Sequence, residues 1–107
     1  MTIAHRLRDS VLKAAGKRVR KIFLFGSRAR GDARPDSDYD LLIVLRDLRS
    51  EEVRSYRRSL YDAFLGTGLN VEPRVMSEEE FEETKGVIGG LAYPAWEEGV
   101  LLYEDDS

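Results

Sequence analysis

The stretch Asp38-Tyr39-Asp40 followed by Leu41-Leu42-Ile43-Val44-Leu45 constrains this chain more than any other. Side chains alternate across a strand, so an unbroken apolar run from Leu41 to Leu45 predicts a central strand covered on both faces, spanning Tyr39 to Leu45. On such a strand Asp38 and Asp40 project to the same side. Two adjacent carboxylates repel each other, and folding alone does not call for them there. A hard divalent cation such as Mg²⁺, which prefers oxygen ligands, relieves that repulsion. Taken alone, Asp-x-Asp reads first as a solvated strand end.

The rest of the chain supplies the other elements of a small sheet. Thr2 to Ala15 carries Ile3, Leu7, Val11 and Ala14/Ala15 at helical spacing, with Gly16 as its stop. Val19 to Phe25 reads as a strand ending at Gly26, and Ser27 to Gly31 as a short helical turn before a loop with Pro35. Ser50, Glu51 and Glu52 predict a helix start, Ser50 as N-cap and the carboxylates in the first turn. Val53, Tyr56, Leu60 and Phe64 continue it until Gly66 and Gly68. Asn70 to Met76 is a shorter strand whose Pro73 places it at an edge or a bulge. Ser77-Glu78-Glu79-Glu80 reads as a capping box opening another helix. Gly89-Gly90 and Pro94 interrupt that pattern, and Val100 to Tyr103 forms a last short strand. Strands alternating with helices predict an α/β or α+β fold, a small mixed sheet flanked by helices.

Composition bounds what such a fold can do. The chain has 107 residues, 42% hydrophobic and 35% charged, fitting one globular domain over residues 1–107 that gains from a partner subunit. The absence of cysteine excludes disulfides, thiolate metal sites and a Cys nucleophile. The first residues lack a signal-type apolar segment and no run reaches spanning length, so no membrane and a cytoplasmic location are expected. The net charge of −3 argues against duplex-DNA binding. Charge is unevenly spread: Met1 to Arg34 holds ten Lys/Arg and two Asp/Glu, Ser77 to Ser107 one Lys and ten Asp/Glu. Such blocks read as solvated faces or as a basic end that meets phosphate or an acidic partner.

Gly26-Ser27 alters the reading of the aspartates. Gly26 permits a tight turn or close approach of a ligand. The backbone N–H groups of the next turn and the Ser27 hydroxyl can cradle phosphate oxygens, with Arg30 adding a fork-shaped cation one turn on. Without the aspartates these three residues read as a turn glycine, an N-cap serine and a surface arginine. Together, Gly26-Ser27-Arg28-Ala29-Arg30-Gly31 and Ser37-Asp38-Tyr39-Asp40-Leu41 resemble the signature of the DNA polymerase β-like nucleotidyltransferase superfamily. Within it the chain resembles the minimal nucleotidyltransferases, from Arg20 onward, with weaker similarity at Glu98-Gly99-Val100-Leu101-Leu102-Tyr103.

The resemblance implies a polymerase β-like nucleotidyltransferase fold, ATP as substrate and a two-metal Mg²⁺ site. It implies transfer of AMP to an acceptor hydroxyl with release of pyrophosphate. Gly26, Ser27 and Arg30 would bind the nucleotide, Ser27 and Arg30 at its β- and γ-phosphates, and Asp38 and Asp40 would hold the metals. Glu72 stands where the family has a third carboxylate, usually Asp, that ligates metal or helps deprotonate the acceptor. Arg74 shares its strand face and would pair with Glu72 or reach a phosphate; Asp62 is a remote substitute and Asp36 an extension of the acidic approach. Family members often serve as antitoxins that bind a helical HEPN-domain RNase toxin, and some adenylylate a tyrosine on it. His5, the single histidine, lacks the context of that toxin's motif. The leading expectation is therefore an AMP transferase acting on a protein hydroxyl of such a toxin, as a homo- or hetero-oligomer. The alternative is a catalytically weak antitoxin that neutralises by binding; transfer to RNA or a small hydroxylated molecule ranks below both. Tyr39, Tyr93 and Trp96 read as core residues, Tyr56 as part of an apolar stripe and Tyr61 as exposed.

Overall fold

The computed structural model describes residues 2–106. Four strands, β1 (Val19–Phe25), β2 (Tyr39–Leu45), β3 (Val71–Ser77) and β4 (Val100–Glu104), form one sheet of order β3-β2-β1-β4. β1 runs antiparallel to both β2 and β4, whereas β2 and β3 are parallel. Among the described residues five α-helices accompany them: α1 (Ile3–Ala15), α2 (Ser27–Arg30), α3 (Val53–Phe64), α4 (Glu78–Thr84) and α5 (Ala92–Glu98). The chain is α+β, with a mixed sheet between two helical layers.

The apolar run of β2 explains the layering. Leu41 to Leu45 are all fully buried. Leu41, Ile43 and Leu45 pack with Leu7 and Val11 of α1 and Leu60 and Phe64 of α3. Leu42 and Val44 face the other way, against Phe81 of α4 and Ala92 and Ala95 of α5. Each fully buried Leu or Ile contributes roughly 1.5–3 kcal/mol of transfer free energy, so β2 anchors both cores at once.

The termini of the elements follow local chemistry, with two differences from expectation. Thr2 caps α1, its hydroxyl accepting from the His5 N–H at 3.1 Å, and Ser77 caps α4 by accepting from the Glu80 N–H at 3.0 Å. Ser50 does not cap α3. It lies inside a 3₁₀ turn (Ser50–Glu52) flanked by Arg49, and the Glu52 carboxylate accepts from the Arg49 N–H at 3.0 Å. Glu52 is drawn there because Arg18 also pairs with it at 2.9 Å, a tertiary contact with no local signature. The second difference is α5, absent from the sequence expectation because of Pro94. Pro94 occupies the first turn of α5, where a missing N–H breaks no helical bond. Pro73 sits on β3, an edge strand, as its lack of a donor requires. Among the described residues, no helix is long and apolar enough to cross a membrane.

Candidate active site

The end of β1 and the start of β2 lie side by side. Phe25 pairs with Asp40 in the antiparallel ladder, which brings Gly26 against the Asp40 side chain. Gly26 has φ 75° and ψ −157°, a conformation that only glycine adopts readily. A Cβ there would fall inside 3.0 Å of Asp40 Oδ2 and 3.3 Å from Cγ. Glycine is thus required twice, by backbone conformation and by the carboxylate pressed against it.

Gly26 opens directly into α2. Its carbonyl accepts from the Ala29 and Arg30 N–H groups, each at 3.1 Å, and the Ser27 carbonyl accepts from Gly31 at 3.0 Å and Asp32 at 3.2 Å. The N–H groups of Ser27 and Arg28, at the first positions of the turn, have no intrahelical acceptor. The Ser27 hydroxyl makes no hydrogen bond among the described residues, so three donors cluster at this corner. Arg30 is 47% exposed and meets Asp32 at 3.3 Å and Glu98 at 3.7 Å. Exposed pairs of this kind hold a side chain weakly, so Arg30 can swing to an oxyanion.

Asp38 and Asp40 share one face of the sheet with Glu72 and Arg74, because the parallel β2–β3 ladder sets Asp40 opposite Glu72 and Leu42 opposite Arg74. Asp38 precedes the strand and accepts a hydrogen bond from the Asn70 side chain, while the Tyr39 N–H donates to the Asn70 carbonyl at 2.8 Å. Burial holds the Asp40 carboxyl above its ordinary value. Arg74 pulls it back, the charges of Asp38 and Glu72 push it up again, and Arg30 pulls it down. Three carboxylates therefore crowd one electrostatic neighbourhood that two arginines only partly neutralise.

Two expectations need correction or completion here. Glu72 does not pair with Arg74. Its ion pair is with Arg57 of α3 at 3.7 Å, made around the open edge of β3. Among the described residues, no three His, Asp or Glu side chains stand close enough together to hold a metal ion. Asp38 and Asp40 suit Mg²⁺, which binds through one or two carboxylates and takes its remaining ligands from phosphates and water. Glu72 is their neighbour across the ladder, with the Arg57 guanidinium 3.7 Å away. Asp62 and Asp36 are both exposed; Asp62 belongs to α3 and Asp36 to the turn before β2. Trp96 is not a core residue: it is 46% exposed and meets Phe81 edge-on at 6.0 Å. Tyr56 and Tyr39 pack partly buried against the larger core, and Tyr61 is exposed.

Three residues escaped the sequence reading. Asn70 hydrogen-bonds to Asp38, Arg57 approaches Glu72, and Arg28 ties the α2 turn to the loop before β2. The Arg28 guanidinium donates to the Ser37 carbonyl at 2.9 and 3.2 Å and to the Pro35 carbonyl at 3.2 Å, and it lies 4.4 Å from the Tyr39 ring centroid. Only for Arg28 did a signal exist, in its place next to Ser27 and its distance of a loop from Tyr39. The other two depend on strand order.

The chain is similar to known proteins in sequence and in fold. The family profile described as nucleotidyltransferase domain matches residues 5–98. A Methanocaldococcus jannaschii protein bearing the provisional name of protein adenylyltransferase is 38% identical over 86 residues, 80% of each chain. A Sulfolobus solfataricus crystal structure, provisionally assigned as a nucleotidyltransferase, superposes with a TM-score of 0.64 at 22% identity, covering 95% of this chain and 81% of that one. A toxin–antitoxin crystallised with AMP-PNP gives 0.61 at 19% identity, covering 94% and 73%. A double Asp-to-Glu variant of the MntA-HpeT toxin–antitoxin gives 0.62 at 15%, covering 98% and 75%. At these identities the solved structures establish a shared fold and nothing finer.

Proposed function

Since the chain belongs to the nucleotidyltransferase domain family, we propose that it transfers AMP from ATP to a hydroxyl group on a partner protein. The observation that carries this reading is the contact between Gly26 and Asp40. It sets a corner of phosphate donors directly against a carboxylate whose charge is incompletely balanced. The names of the relative in Methanocaldococcus jannaschii and of the toxin–antitoxin structures favour a protein acceptor, and a HEPN-domain toxin fits that class.

In this reading the Ser27 hydroxyl and the first N–H groups of α2 bind the β- and γ-phosphates, and Arg30 leaves its exposed carboxylate partners to join them. Asp38, steadied by Asn70, and Asp40 would hold Mg²⁺, which supplies charge neutralisation at the transferred phosphoryl group. The acceptor oxygen forms a bond to the α-phosphorus as the bond to pyrophosphate breaks, and its proton passes to a carboxylate or to water. Glu72 is the nearest candidate base, provided Arg57 releases it. Such a reaction depends on positioning and charge far more than on covalent chemistry by the protein.

The experiment is incubation with α-labelled ATP, Mg²⁺ and the product of the adjacent open reading frame. Label should pass to that protein, and Asp38→Asn should abolish transfer. Nucleotide binding with no transfer to any acceptor would sink the enzymatic reading. A second reading, a catalytically weak antitoxin acting by complex formation, is favoured by the engagement of Glu72 with Arg57. It requires that Asp38→Asn with Asp40→Asn still binds the partner and still protects cells.

A further inference from the structure

Adjoining the candidate site, a cleft of about 660 Å³ runs along the free edge of β3. Its wall is one face of α3, where Arg54, Arg57, Arg58 and Tyr61 recur at helical spacing; Asp62 and Glu72 complete it. Arg54 and Arg58 are exposed and have no carboxylate partner among the described residues. Arg57 has only the 3.7 Å contact with Glu72, in which its own side chain is 51% exposed. Three guanidinium groups and two carboxylates, Asp62 and Glu72, thus line a cleft that is net positive. Arg18, by contrast, is held by Glu52 at 2.9 Å.

We infer that this cleft binds an acidic segment of the acceptor protein, so that the acceptor hydroxyl enters the active site from the β3 edge. The inference rests on the transferase reading above and names the recognition element that reading lacks. Charge complementarity supports it: arginine forks pair bidentately with carboxylates, and Tyr61 offers an exposed aromatic anchor of the kind common at protein interfaces. Position supports it as well, because the cleft ends at Glu72, which lies across the ladder from Asp40. A carboxylate of the acceptor that engages Arg57 would take it from Glu72 and free that group beside the reacting centre. A nucleic acid fits less well. The chain carries a net charge of −3, whereas nucleic-acid-binding domains are typically basic.

The test uses the full chain and three fluorescein-labelled probes: a peptide with a central tyrosine flanked by glutamates, the same peptide flanked by glutamines, and an oligoadenylate RNA. Fluorescence anisotropy should show the acidic peptide binding about tenfold or more tighter than the neutral one, with affinity falling as salt rises. The double variant Arg54→Ser with Arg58→Ser, both surface positions, should lose most of that preference. Its affinity for a fluorescent ATP analogue reports that the fold is intact. Equal binding of the two peptides, an unchanged double variant, or tighter binding of the RNA overturns the inference. Because binding is read without turnover, the two readings fail separately. Charge-dependent peptide binding with no AMP transfer to any acceptor supports the cleft and removes the enzymatic reading. Transfer to a partner that ignores peptide charge does the reverse.

Discussion

Gly26 and Asp40 are in steric contact: the glycine at the end of β1 has room for a hydrogen but not for a methyl group beside the Asp40 carboxylate. The backbone turn that presents free N–H donors and the strand that presents Asp38 and Asp40 are therefore a single construction. Neither can shift without the other.

Gly26→Ala should destabilise the protein by about 1–3 kcal/mol from the backbone conformation alone, with the clash against Asp40 added. Thermal unfolding should show a clear loss of stability, and binding of an ATP analogue should fall with it. Gly31→Ala provides the contrast. Gly31 also has positive φ, at 85°, but a Cβ there meets nothing within 4 Å. That variant should cost about 1 kcal/mol and retain nucleotide binding.

Asp40→Asn should stabilise the nucleotide-free protein while removing its response to Mg²⁺. The sign follows from the raised carboxyl. A group that binds its proton more tightly in the folded state contributes most below its unfolded value, and that contribution is lost as pH rises through the folded value. At neutral pH the ionised Asp40 is therefore a burden that the amide relieves. A higher melting temperature at neutral pH is expected. A lower one counts against the picture of crowded carboxylates.

Arg28→Ala should loosen the loop between Gly31 and Asp38. The side chain donates to the Ser37 and Pro35 carbonyls and covers Tyr39, so its loss frees the segment that aims Asp38. Limited proteolysis should cut within this loop sooner than in the parent chain. Transfer should drop by about tenfold, equivalent to losing one charge-assisted hydrogen bond. Arg28→Lys should restore little, since one ammonium cannot reproduce the planar fork.

Stability should fall between about pH 5 and pH 2 in a manner that depends on Arg18. Hydrogen bonds from Arg18 and from the Arg49 backbone hold the Glu52 carboxyl at about 2, below its ordinary value. A depressed carboxyl stabilises the fold above its unfolded value, and the benefit disappears as pH drops toward the folded one. Denaturant titrations at pH 7 and pH 3 should show a smaller difference for Arg18→Met than for the parent chain.

Much of the fold was legible where local pattern and tertiary role agree. Val19 to Phe25 and Tyr39 to Leu45 are strands at the bounds that their apolar residues and flanking Gly26 and Asp38 predict. The cap of α4 by Ser77 and the edge position of Pro73 follow from single-residue chemistry. α5 was not legible, because Pro94 reads as an interruption unless the helix is known to begin just before it. Ser50 lost its expected cap because the turn opens one residue earlier, at Arg49, whose N–H donates to the Glu52 carboxylate that Arg18 also pairs with.

The candidate site divides along the same line. The sequence by itself determined which groups could do the chemistry: a glycine and serine at a strand end, and two aspartates spaced to share a face. Side-chain alternation and turn chemistry are local, and they act whatever the rest of the chain does. Only the tertiary structure decided that Asp40 lies against Gly26, that Glu72 stands beside Asp40, and that Arg57 holds Glu72 across the sheet edge. Those relationships depend on strand order, on parallel or antiparallel register and on which helix borders the free edge of β3. None of them has a fixed separation along the chain.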